Sequence, residues 1–96
     1  MKRNNALNIL LNIKPALVQK FGVTKLSLFG STARDDARDN SDVDILVGFD
    51  GPATSERYFG VQFYIEDHLG CQVDLVTEKA LRPELRTYIE KEAISV

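Results

Sequence analysis

The chain has 96 residues, 44% of them hydrophobic and 27% charged, with a formal net charge of −2. That suits one domain, residues 1–96, built on one core, and leaves little room for a second substrate-binding domain. No apolar run approaches the ~20 residues that cross a membrane, residues 1–5 lack the apolar stretch of a signal peptide, and a cytoplasmic setting is expected.

The charge is unevenly spread. The first 34 residues hold Lys2, Arg3, Lys14, Lys20, Lys25 and Arg34 and no acid, whereas the rest hold six basic residues and all fourteen acids. The plain reading is a solvated basic helix face. The sharper one is a surface for an acidic partner or a nucleotide. The chain is too acidic overall for general nucleic-acid binding. Cys71 is the only cysteine, so no internal disulfide exists, and it reads as a small apolar residue.

In chain order, Leu7, Leu10, Leu11, Leu17, Val18 and Phe21 recur at helical spacing, with Pro15 between them. Either a kinked helix or two short ones should end near Gly22. Residues 23–29 read as a strand. Ser31 is placed to cap a short helix, and residues 42–49 form a second strand. Thr54 or Ser55 caps a helix ending at Gly70, with Tyr58, Val61, Ile65 and Leu69 as its apolar stripe. Residues 72–77 are a third strand. Pro83 fits the first turn of a last helix through about Glu92, with Leu85 and Ile89 facing inward. The order implies an α/β fold of the α+β kind, a small mixed sheet of three to four strands flanked by helices.

The most informative feature is Asp42-Val43-Asp44, downstream of Gly30-Ser31. In a strand, alternate side chains share a face, so Asp42 and Asp44 would stand together with Val43, Ile45 and Val47 opposite. Like charges held that close need a cation, a shared proton or full solvation. Asp74, inside another apolar strand, can converge on the same point if the strands are neighbours. Such a set suits magnesium, which takes a few carboxylates plus waters and substrate phosphates. Two ions can serve both the attacking and the leaving oxygen. Gly30 lets backbone approach a phosphate, Ser31 offers donors at a helix start, and Arg34 lies one turn on. The plainer alternatives are a solvated pair at Asp42 and Asp44, a salt bridge at Asp74, and an ion pair of Arg34 with Asp35, Asp36 or Asp39. His68 reads as a surface residue. Tyr58, Phe59, Phe63 and Tyr64 read as core and interface.

Gly30-Ser31, Arg34, Ser41-Asp42-Val43-Asp44-Ile45 and Val73-Asp74-Leu75-Val76 resemble the signature of the minimal nucleotidyltransferases (MNT), within the DNA polymerase beta-like superfamily. The likeness extends to Phe21-Gly22-Val23 and to the stretch from Leu81-Arg82-Pro83-Glu84-Leu85 through Glu92-Ala93. It implies the nucleotidyltransferase fold, with Gly30, Ser31, Arg34 and Ser41 at the nucleotide and Asp42, Asp44 and Asp74 as catalytic residues holding magnesium, two ions in all. It further implies an antitoxin that moves AMP from ATP to a tyrosine of a HEPN toxin. The competing expectation is a catalytically idle antitoxin that occludes its partner. Transfer to a small molecule, as in antibiotic-modifying relatives, fits less well without a second domain. One departure stands out: the family usually has glycine after the motif arginine, and this chain has Asp35. That residue would hold a backbone angle costly for a side chain and would bring negative charge towards a triphosphate.

Overall fold

The apolar spacing of the first third becomes one helix, α1 (Arg3–Phe21), in a computed structural model that describes residues 1–96. Of the two expected forms, a single helix is seen, with Pro15 inside it. Proline removes one backbone donor, and the carbonyl it orphans is that of Leu11. Both residues lie on the exposed side, where water can serve that carbonyl. Ala6, Leu10, Ile13 and Leu17 form the buried stripe. Gly22 then ends the helix in the left-handed conformation, at φ 72°.

The remaining elements are β1 (Val23–Phe29), α2 (Gly30–Arg34), β2 (Val43–Phe49), α3 (Ser55–Leu69), β3 (Val73–Thr77), a 3-10 turn (Glu78–Ala80), α4 (Pro83–Glu92) and β4 (Ile94–Ser95). The expected strands and helices are all present. Thr54 caps α3 as expected, accepting from the Arg57 N–H at 3.2 Å, and Gly70 ends it at φ 73°. The expected fold class holds, a mixed sheet flanked by helices, in the order β3-β2-β1-β4. β1 is antiparallel to β2 and to β4, and β2 is parallel to β3.

One face of this sheet carries the core. Leu26 and Leu28 of β1, Val43, Ile45 and Val47 of β2 and Val73 and Leu75 of β3 are buried in one cluster with the α1 stripe and with Val61, Ile65 and Leu69 of α3. The other face carries Ser27, Asp44, Leu46 and Asp74, and Leu46 is buried outside that cluster.

Two expectations need correction. Ser31 does not cap α2: the cap position falls on Phe29 and no side chain fills it. The chain turns at Gly30 itself, so the helix begins one residue earlier. Leu85 does not face inward but is 49% exposed, and α4 buries no residue at all. The core face is already filled by α1 and α3, and α4 lies beside α2 with its end over the other face. The two-residue β4, paired with Ser27 and Leu28, was not anticipated, because so short a strand carries no periodicity.

Candidate active site

The parallel ladder between β2 and β3 sets Asp44 directly beside Asp74. Both project from the open face, because their neighbours Val43, Ile45, Val73 and Leu75 are buried on the other. Asp44 is half-buried and Asp74 is exposed on the edge strand. Removing Asp44 from water beside a second carboxylate disfavours its charge. Its pKa is pushed up to about 6, mainly by burial, then by the Asp74 carboxylate, with Asp42 a weaker contributor and Arg34 pulling the other way.

Asp42 sits at the threshold of β2, where the expected strand begins. It immediately precedes Val43, the first residue of the strand, and is exposed, acting on Asp44 only through its charge. The ladder register thus adds Asp74 beside Asp44, with the Asp42 charge also felt at Asp44. No three carboxylate, histidine or cysteine side chains close on a single point. The donor set still suits a hard divalent cation: all oxygen, open on one side to water and phosphate.

Gly30 meets Asp44 from the end of β1. It holds φ 75°, a conformation side chains rarely adopt, and a Cβ there would fall on the Asp44 carboxylate. Glycine is thus required twice over, once for the angle and once for the approach. Ser31 is half-buried in the first turn of α2. The next residue, Thr32, is 1% exposed, and its hydroxyl has no hydrogen-bond partner.

Arg34 forms an ion pair with Asp36, at 3.3 Å, and another with Glu92 at the end of α4. The hydrogen bond to Asp36 is the main reason its pKa is raised further. An ion pair was the alternative for Arg34, and Asp36 was among the partners considered. Glu92 was not, since nothing in the sequence brings residue 92 to residue 34. Ser41 is also near a turn, accepting from the Arg38 N–H at 3.1 Å.

Sequence reasoning also missed what holds Asp74 in place. Tyr58, Gln62 and Glu66 form one row along α3. The Tyr58 hydroxyl donates to the Leu75 carbonyl at 2.6 Å, Gln62 donates to the Val73 carbonyl at 3.3 Å, and the Glu66 carboxylate accepts from the Val73 N–H at 3.0 Å. The three bonds occupy backbone on either side of Asp74. The i, i+4 spacing was visible, but Tyr58 reads there as an apolar residue.

Elsewhere the expectations are met or uninvolved. His68 is exposed and stacked on Tyr64, with ring centroids 4.5 Å apart. Burial pushes the Cys71 thiol up, which keeps it a poor nucleophile. An open groove of about 260 Å³, lined by Lys25, Ser27, Leu46, Glu90, Ala93 and Ser95, runs along the same sheet face as Asp44, with the end of α4 forming one wall.

Paired carboxylates on a sheet face, with a glycine turn pressed against one of them, form an oxygen donor set that suits a divalent ion and a phosphate. The chain belongs to the nucleotidyltransferase domain family, whose model matches residues 10–96. It is 35% identical over 89 residues to protein adenylyltransferase MntA of Thermococcus cleftensis, covering 93% of this chain and 90% of that one. A solved structure described as a minimal nucleotidyltransferase superposes with a TM-score of 0.85 at 33% identity, covering 100% of this chain and 97% of that one. The fold also matches the MNT antitoxin solved with a tri-AMPylated HEPN toxin of Shewanella oneidensis. There the TM-score is 0.69 at 16% identity, over 97% of this chain and 70% of that one. The resemblance read from the motifs is borne out.

Proposed function

We propose that this chain is a magnesium-dependent protein adenylyltransferase that moves AMP from ATP to a tyrosine of a HEPN toxin and so acts as its antitoxin. The observation that carries the reading is the Asp44–Asp74 pair beside Gly30, on the sheet face away from the core. Magnesium would neutralise the triphosphate and favour both the incoming and the departing oxygen. Asp44 and Asp74 would hold it, with Asp42 contributing from the loop before β2. Gly30 leaves room for phosphate against the backbone, and Ser31 supplies a hydroxyl beside it. Arg34 and Ser41 are the further nucleotide contacts, Arg34 after exchanging a carboxylate partner for phosphate.

Asp74 lies on the edge strand, where an acceptor from another protein can reach it. The tyrosine oxygen attacks the α-phosphorus, the bond to the bridging oxygen of the β-phosphate breaks, and pyrophosphate leaves. Asp74 is placed to take the tyrosine proton. The names of the relatives support adenylyl transfer, and the fold's occurrence in a HEPN complex supports the partner.

The test is to incubate the protein with ATP, magnesium and the HEPN protein encoded beside it, then weigh the partner. One or more added AMP units on a tyrosine is expected, and none with Asp74→Asn. A wild-type protein that leaves the partner's mass unchanged overturns the reading. The engagement of Arg34 by Asp36 and Glu92 favours a second reading, occlusion without transfer. That reading predicts that Asp74→Asn protects cells from the partner as well as wild type does.

A further inference from the structure

Asp35 is the only non-glycine residue with positive φ, at 63°. Side chains resist that conformation, though Asp and Asn resist it least. Something must offset the cost, and the start of α1 supplies it. That helix has no side-chain cap of its own and no acid in its first turn. Its first N–H, on Arg3, donates instead to the Asp35 carboxylate at 2.9 Å, across 32 residues of sequence. A carboxylate at a helix N-terminus gains from both the orphan donor and the helix dipole. Asp35 is also the first acid in the chain, so no nearer carboxylate could serve. At the same time its own N–H bonds back to the Thr32 carbonyl at 3.1 Å, and the Asp36 N–H bonds to the Ser31 carbonyl at 3.0 Å. The residue thus closes α2 with its backbone and fastens it to α1 with its side chain.

We propose that Asp35 is a positioning residue that clips the loop carrying Gly30, Ser31 and Arg34 to the start of α1, fixing the nucleotide cradle from behind. The idea rests on the nucleotide role assigned to that loop. It reverses the expectation drawn from sequence, in which Asp35 is a handicap that glycine would relieve. The aspartate trades backbone ease for a tether, and its charge is spent on the helix instead of facing the triphosphate.

Two variants separate these views. Asp35→Asn keeps an acceptor oxygen and tolerates the left-handed angle. Asp35→Gly frees the angle and loses the acceptor. Affinity for ATP with magnesium is measured by calorimetry, and amide exchange of Arg3 and residues 31–36 is followed without nucleotide. We expect the Gly variant to bind ATP about fivefold more weakly, a helix cap's ~1 kcal/mol expressed as an equilibrium ratio. Its loop amides and that of Arg3 should exchange faster, with melting temperature nearly unchanged because relieved strain offsets the lost bond. The Asn variant should keep wild-type affinity and exchange. Tighter ATP binding by both variants would mean that the aspartate's charge repels the nucleotide, and would overturn the proposal. Equal exchange in all three proteins would overturn it too, whatever the binding data show. If wild type binds no ATP, the nucleotide role of the loop fails, while the exchange data still decide whether the clip exists.

Discussion

The two faces of the sheet obey opposite rules. The covered face packs aliphatic side chains from three strands against α1 and α3, and its members are almost wholly buried. The other face carries two adjacent carboxylates and an open groove, with a glycine turn pressed against one carboxylate. Burial on the first face supplies the free energy that lets the second hold like charges together. Stability and chemistry are therefore separable strand residue by strand residue, since neighbours along β2 point opposite ways.

The sharpest way to break that separation is at Asp44. Asp44→Asn should reduce AMP transfer by about three orders of magnitude, the scale of losing a charged group that holds a catalytic metal. Its fold, by circular dichroism, should be unchanged. Transfer at wild-type rate would remove Asp44 from the metal site.

One residue further on, Ile45→Ala should do the reverse. It empties a fully buried position and should cost about 3 kcal/mol in denaturant unfolding. At a temperature where the variant stays folded, its transfer rate per molecule should match wild type. A selective loss of rate would show that the faces are coupled.

A smaller effect follows from the titration of Asp44. Its pKa in the folded protein, about 6, lies above the unfolded value of 3.8. A raised pKa contributes stability that is complete below the unfolded value and is lost as pH rises through the folded one. Wild type should therefore lose stability relative to Asp44→Asn between about pH 4 and pH 6. The shift alone corresponds to ~3 kcal/mol. Because the side chain is only half-buried, solvent screening reduces this to roughly 1 kcal/mol. Melting curves of both proteins across that range, without magnesium, check it. Added magnesium should raise the wild-type midpoint at pH 7 and leave the variant's almost unmoved.

The smallest effect is expected outside both faces. Tyr88 on α4 is 68% exposed, and Tyr88→Ser should change stability by less than ~0.5 kcal/mol. A larger loss would mean that α4 is held more firmly than its exposure indicates.

The element pattern was legible because its signals are local. Apolar spacing, Thr54 and Gly70 as caps, and Pro83 in a first turn each act within a few residues. The carboxylates of the site were legible as types, and their meeting only on the condition that their strands be neighbours, which β2 and β3 are. What could not be read depends on register and on contacts across the chain. Asp42 falls just outside its strand, Glu92 reaches Arg34, and Asp35 reaches Arg3. The inward face assigned to α4 failed for a related reason. Its amphipathic spacing is real, but the core has no space left for it.

The parallel ladder has a consequence for how the protein comes into being. Parallel neighbours cannot be joined by a tight turn, and the chain between β2 and β3 runs through all of α3. Asp44 and Asp74 therefore meet only after a long loop has closed, a step that is slow because its entropy must be lost before any contact forms. A nascent chain ending before β3 would carry a glycine turn and half a carboxylate pair, but no binding site. Competence for chemistry should arrive late and all at once, together with the cooperative fold.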